Sequence, residues 1–181
     1  MRKIIVEAEV TLDGVVNHPE MWAEIFKYHS EDVTDCLNAL LASPDALLLG
    51  RKTYQAFAQV WPERDGEMAK RINSMPKYVA SRTLKQPLNW NSNLIQGDVV
   101  EEIHKLKQEH GNSLLQYGIG ELTRTMLKNG LIDELQLIVF PFIFGKGERW
   151  FDILDARHFD LLDCRSFTSG ALLIRYHPNP G

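Results

Sequence analysis

The chain has 181 residues, a formal net charge of −4, and 44% hydrophobic against 24% charged residues. That balance suits one globular domain with a real core. Acids and bases are mixed without a basic stripe, which argues against a nucleic-acid partner, and the longest apolar run, Leu137–Phe144, is too short to cross a bilayer and carries Pro141.

Met1 to Val6 runs straight into a strand-like stretch, with neither the apolar core nor the cleavage site of a secretory signal, so a cytoplasmic protein is expected. The two cysteines, Cys36 and Cys164, lack metal-binding spacing. They read as small buried hydrophobes in a reducing compartment, and no metal site is expected.

Lys3–Val10 reads as the first strand, with Ile4, Val6, Ala8 and Val10 on one face and Ile5, Glu7 and Glu9 on the other. Two acids on an inner face are unusual. Either that face is partly solvated, or Glu9, near the carboxyl end, is a cleft acid. Thr11–Glu20 is a loop, broken at Asp13-Gly14 and Pro19. A helix over Ser30–Ala42 follows, with Ser30 as N-cap, Glu31 and Asp32 in the first turn, and an apolar stripe of Val33, Leu37, Leu40 and Leu41. Ala46–Leu49 is a short apolar run, as expected of a strand buried on both faces. Gly50-Arg51-Lys52-Thr53 ends it and opens a helix to about Val60.

Lys77–Ala80 and Asn93–Gln96 read as short strands. Asp98 to Glu101 is a capping box for a helix to His110, with Gly111 just past its end. Ser113–Tyr117 is the next strand, and Gly118-Ile119-Gly120 leads into a helix ending near Gly130. Leu135–Ile143 is a long strand, followed by a turn at Gly145-Lys146-Gly147. Phe159–Phe167 and Ala171–His177 form a hairpin across Ser169-Gly170. The alternation predicts a single α/β domain over 1–181, with a mostly parallel sheet, helices on both faces and an antiparallel C-terminal edge.

Two strand–turn–helix segments have phosphate-binding chemistry, because the free N–H groups of a helix start point at an anion. In the first, Gly50 delivers Arg51, Lys52 and Thr53 to a helix N-terminus. In the second, Gly118 and Gly120 let the backbone approach a pyrophosphate, although Thr123 stands where a dinucleotide fingerprint has its third glycine. Each alone also reads as an ordinary tight turn. Gly50, Ser81 and Gly118 each follow a separate strand, and open α/β sheets bind ligands outside the carboxyl ends of their strands. Arg51 and Arg82 then suit the ribose 2′-phosphate that separates NADP from NAD.

The chain resembles one family in order along nearly its whole length. The segments are Thr11-Leu12-Asp13-Gly14, Leu49 to Tyr54, Tyr78 to Leu84, Gly118 to Leu122, Gly130 to Leu135, Pro141, and Phe144 to Gly147. The family is the reductase domain found at the C-terminus of the riboflavin-biosynthesis bifunctional deaminase-reductase, with its stand-alone bacterial relatives. The resemblance implies the three-layer dihydrofolate-reductase-like fold and NADPH as cofactor. It places Arg51, Lys52 and Thr53 at the first phosphate turn, and Ser81 and Arg82 beside the adenosine 2′-phosphate. Gly118, Ile119, Gly120, Glu121 and Leu122 form the pyrophosphate turn, and Thr11, Asp13 and Gly14 lie beside the nicotinamide. Asp133-Glu134 and the final strands resemble the part that often pairs subunits, which implies a homodimer. Ile119 stands where the family commonly has a small residue. The deaminase combination of HxE with PCxxC does not occur, since the chain has no PCxxC.

Hydride transfer needs positioning and a nearby proton donor. Asp32, on the flank of its helix stripe, and Glu9, on strand geometry, are the two candidate acids. Asp35 lies opposite the stripe and reads as solvated. Trp22 and Trp61 flank the expected cleft, where packing is the default role for an aromatic side chain. His104 and His110 are not at metal-binding spacing and read as surface residues. Three functions are open: an NADPH-dependent reductase of a pteridine-like or aminouracil-type heterocycle, a non-catalytic NADP(H)-binding or sensing module, and a partner-binding protein that keeps only the fold. The two phosphate turns with Arg51 and Arg82 disfavour the third.

Overall fold

The computed structural model describes residues 1–153 and 156–179. The strands are β1 (Lys3–Thr11), β2 (Val15–Asn17), β3 (Pro44–Gly50), β4 (Lys77–Ala80), β5 (Ser92–Leu94), β6 (Ser113–Tyr117), β7 (Glu134–Phe140), β8 (Glu148–Arg149), β9 (His158–Ser166) and β10 (Leu172–Asn179). The helices are α1 (Met21–Ile25), α2 (Glu31–Ala42), α3 (Arg51–Val60), α4 (Glu67–Ser74), α5 (Val99–Gln108) and α6 (Glu121–Lys128). Eight strands form one sheet in the order β5-β4-β3-β6-β1-β7-β10-β9, and β2 pairs with β8 in a small ribbon. The strands from β5 to β7 are mutually parallel, and β10 and β9 run antiparallel at the C-terminal edge. This is the expected fold class. No helix among the described residues is long and apolar enough to cross a membrane.

Both sheet faces are covered because β1 carries two patterns at once. Ile4, Val6, Ala8 and Val10 are fully buried with Ile103 and Leu106 of α5 and Leu122 and Met126 of α6. On the other face, Val33 and Leu37 of α2 pack with Ile138, Phe140 and Leu173, while Leu41 and Ile72 pack over Leu47, Leu49 and Val79. This burial is the main stabilising term.

Several local expectations shift. α1 and α4 lie in stretches where the sequence predicts no element, and tertiary packing of Met21, Ile25, Ala69 and Ile72 supplies what their short patterns lack. β7 stops at Phe140, since Pro141 cannot donate to the ladder. α5 ends at Gln108 because Glu109 turns extended, so Gly111 is not its cap. A side chain at Gly111 would press on the Asp45 carboxylate and the Arg2 guanidinium. Asp98 does cap α5, accepting from the N–H groups of Val100 and Glu101 at 2.9 and 3.0 Å. Ser30 occupies the N-cap position of α2, but its hydroxyl donates to Asp32 instead of capping the backbone. Both cysteines are free. Cys36 is half-buried, and Cys164 is exposed on β9, against the expectation that it is buried.

The amino ends of the central strands are pinned by charge. Buried Lys107 donates to the Leu131 carbonyl at 2.7 Å and to Asp133, whose carboxylate also accepts from the Ile4 N–H at 2.7 Å. Arg2 pairs with Asp45 beside them. These contacts tie α5, β1 and the start of β7 into one unit. Asp133→Ala would leave Lys107 buried without its counter-charge and the Ile4 N–H without an acceptor. A loss of about 3 kcal/mol is expected, read as a lowered urea midpoint at unchanged slope.

Candidate functional site

At the carboxyl edge, β3 and β6 lie side by side and parallel, and each turns directly into a helix. Gly50 is the N-cap of α3 and Gly120 that of α6, and neither helix start receives a side-chain cap. Glycine offers no oxygen to accept from the first-turn N–H groups, so those donors are available to an outside acceptor. The two turns touch. A Cβ on Gly118 would meet the Thr53 hydroxyl oxygen at 3.8 Å, and one on Gly50 would meet the Leu122 Cβ at 3.8 Å. A Cβ on Gly120 would meet nothing within 4 Å. Gly118 has φ +77°, a conformation that side chains rarely adopt, and its N–H donates to the Glu7 carbonyl at 2.7 Å.

The second turn is held from inside. The buried Gln116 amide donates to the Gly118 carbonyl at 2.6 Å and to the Thr123 hydroxyl at 2.7 Å. Thr123 accepts in turn from the Gly120 N–H at 3.2 Å. Thr123 therefore braces the turn at the place where a dinucleotide fingerprint has glycine. Ile119 and Leu122 are buried in the core, so their side chains hold the turn down and only their backbones can reach a ligand. Glu121 is exposed at the start of α6, 4.0 Å from Arg124.

The cations are at the surface of the same edge. Gly50 pairs in register with Ala80, so Arg51 and Arg82 leave adjacent strand ends. Arg51 donates to Gln55 at 3.1 Å along its own helix, and Lys52 lies 3.5 Å from Glu148. Arg82 is exposed. The Ser81 hydroxyl accepts from the N–H groups of Thr83 and Leu84, which fixes the loop that presents Arg82.

The Thr11-to-Gly14 loop spends its polar groups internally. The Thr11 hydroxyl donates to Asp13 at 2.6 Å and accepts from the Val15 N–H at 2.9 Å. Asp13 also accepts from the N–H groups of Phe144 and Gly145 at 3.0 and 2.9 Å. These hydrogen bonds outweigh partial burial and hold its carboxyl down at about 2. Gly14, at φ +78°, faces the Phe151 ring, which a Cβ would overlap. Thr11 and Asp13 thus clasp the carboxyl ends of β1 and β7, and what they offer a ligand is the shape of the loop.

The acids separate into three environments. Asp32 accepts from Ser30, from the Val33 N–H, and from the N–H and hydroxyl of Thr168 at 2.7 and 3.0 Å. It ties α2 to the β9–β10 turn. Those hydrogen bonds, Ser30 first, lower its pKa and make it a poor proton donor. Glu9 lies 2.9 Å from the His29 ring nitrogen Nε2, and His29 stacks on Phe140. Glu7 is only 3% exposed, and its Oε1 has no hydrogen-bond partner among the described residues. Burial first, and the Glu9 charge second, push its carboxyl well above the usual range. Its ladder neighbours are Tyr117 on β6 and Gln136 on β7, and the Gln136 amide nitrogen is likewise buried without a partner. Tyr117 packs against Phe57, which packs against Trp61, while Trp22 lies 6.3 Å from the exposed Phe26 ring. Glu7, Tyr117, Phe57 and Gln136 escaped the sequence-based candidates. The available signal was the Ile5-Glu7-Glu9 alternation. His104 and His110 are exposed, and no group of metal-ligating side chains occurs among the described residues.

This geometry can be set beside known proteins. YyaP of Bacillus subtilis (strain 168) is 32% identical over 187 residues, covering 98% of this chain and 96% of YyaP. Among solved structures, a protein from Shewanella sp. PV-4 provisionally named for riboflavin biosynthesis aligns with a TM-score of 0.71 at 20% identity, covering 98% of this chain and 99% of that one. A pyrimidine reductase-like protein from Corynebacterium diphtheriae aligns at 0.67 and 14% identity, covering 99% and 93%. The deaminase/5-amino-6-(5-phosphoribosylamino)uracil reductase of Thermotoga maritima aligns at 0.66 and 16% identity, over 98% of this chain and 57% of the longer one. The family model described as the RibD C-terminal domain matches residues 2–173. The chain belongs to the RibD C-terminal domain family.

Proposed function

We propose that the protein is a cytoplasmic NADPH-dependent reductase of a small heterocyclic molecule of the ribosylaminopyrimidine or pteridine type. The observation that carries this reading is the meeting of two uncapped, glycine-started helices at the carboxyl edge, with Thr53 against Gly118 and Gly50 against Leu122. Two such starts can share one diphosphate. Arg51, Lys52 and Arg82 stand along the same edge, as a 2′-phosphate requires. When bound, NADPH supplies hydride, and the protein's part is to hold it and the heterocycle in register. Membership of the RibD C-terminal domain family supports the same activity.

The homodimer belongs to the same proposal, with the final strands and not Asp133-Glu134 as its surface. Asp133 and Glu134 are engaged within the chain, Glu134 by the Arg175 guanidinium at 2.6 and 3.0 Å. The face that suits a second copy is the uncovered side of β7, β10 and β9. It holds an apolar groove of about 520 Å³ lined by Leu137, Val139, Trp150, Phe159, Ile174 and Tyr176. Leu161, which pairs with Tyr176, is exposed beside it.

Calorimetric titration with NADPH and NADH tests the cofactor. Micromolar NADPH with clearly weaker NADH supports the proposal, and no binding of either ends it. Arg82→Ala should weaken NADPH by about 10- to 100-fold and NADH far less, and equal losses would remove the 2′-phosphate assignment. Gly118→Val forces a branched side chain into a left-handed turn. It should cost about 1–3 kcal/mol of stability and abolish cofactor binding, and retained affinity would place the diphosphate elsewhere. In sedimentation, the wild type should run as a dimer and Leu161→Arg as a monomer; an identical profile for both would reject this face as the interface.

A further inference from the structure

The last ladder pair between β1 and β6 is Glu7 with Tyr117. One residue later the chain leaves β6 at Gly118, whose N–H is fixed to the Glu7 carbonyl at 2.7 Å. Glu7 therefore sits where the two strands part, directly behind the diphosphate-binding turn of the proposed site. In an open α/β sheet this is the crevice that receives the reacting end of a ligand.

The Glu7 side chain has no structural occupation that explains it. Oε1 is without a partner, as is Nε2 of Gln136 one strand away. Glu9, on the same strand, is occupied with His29 at 2.9 Å. Tyr117 faces it from β6, and half-buried Cys36 of α2 lies within electrostatic reach. The cation on the same sheet face, Arg175 of β10, is held by Glu134 at 2.6 Å and lies 3.9 Å from Asp163. Glu7 is thus surrounded by an acid, a phenol, an amide and a thiol, and no cation among the described residues pairs with it. A buried acid that stabilises nothing is the pattern of a functional group kept at a cost to folding.

We propose that Glu7 is the proton donor of the reduction, a reading that rests on the proposed reductase activity. As carbon of a substrate C=N or C=O bond takes hydride from the reduced nicotinamide, the π pair moves to nitrogen or oxygen. That atom takes the Glu7 proton, and the carboxylate left behind regains one from water. The neighbouring Glu9 charge and the dry surroundings keep the proton on Glu7 until it is needed.

The test compares wild type with Glu7→Gln, which preserves shape. Without any ligand, infrared spectroscopy near neutral pH should show a protonated-carboxyl band that disappears in E7Q. The folded state binds this proton more tightly than the unfolded chain, so Glu7 weakens folding increasingly as pH rises above about 4.3. E7Q should therefore melt higher than wild type, with a gap that widens from about pH 5 to about pH 8. With NADPH and 5-amino-6-(5-phosphoribosylamino)uracil-derived substrate, E7Q should lose about 100-fold or more in kcat while NADPH affinity is unchanged. Absence of the band, or full kcat in E7Q, overturns the assignment while leaving the reductase reading intact. Wild type that binds no NADPH overturns the reductase reading instead, and the assignment of Glu7 falls with it.

Discussion

The site depends on a gap. The first crossover carries the chain from β1 over α2 to β3 and skips one strand position, which β6 fills much later from the opposite direction. Strand order therefore reverses around β1, β6 and β3, and the helices after β3 and β6 leave on opposite faces of the sheet. Such a switch point opens a crevice at the carboxyl edge. Gly50 and Gly118 stand at that edge, and Glu7 pairs with Tyr117 at the last step of the β1–β6 ladder before it.

The two ends of the sheet are built on opposite electrostatic rules. At the amino end, buried Lys107 pairs with Asp133 and buried Arg2 with Asp45, as buried cations require. At the carboxyl end, helix starts are left uncapped and Arg51, Lys52 and Arg82 remain at the surface. The first arrangement holds strands together. The second leaves first-turn donors and the exposed Arg82 open to an anion.

Three carboxylates illustrate how place decides role. Asp32, Glu9 and Glu7 have the same chemistry in the unfolded chain. Asp32 is saturated by Ser30, Val33 and Thr168 and serves as a clasp. Glu9 lies against His29. Glu7 is isolated among groups that cannot neutralise it. Separating the environments of nearby acids is how a single fold sets their pKa values apart.

Much of this protein is local and therefore legible in its sequence. Alternation in Lys3–Val10, the Asp98 cap, the Ser169-Gly170 hairpin and the glycine turns after Leu49 and Tyr117 all depend on neighbours a few residues away. The family resemblance rests on the same short segments in order, and the family match over residues 2–173 bears it out. What the sequence could not rank was its acids. The Ile5-Glu7-Glu9 face announces an anomaly, but which acid stays unpaired depends on His29, Gln136 and Tyr117 arriving from other elements. Likewise, Asp32 meets Thr168 across 136 positions of chain. Helices α1 and α4 exist because the core holds them, and Cys164 is exposed because β9 forms an edge. Local hydrogen bonding and periodicity determined the elements and the turns. Burial and charge, which act through space between distant segments, decided what each polar side chain is left free to do.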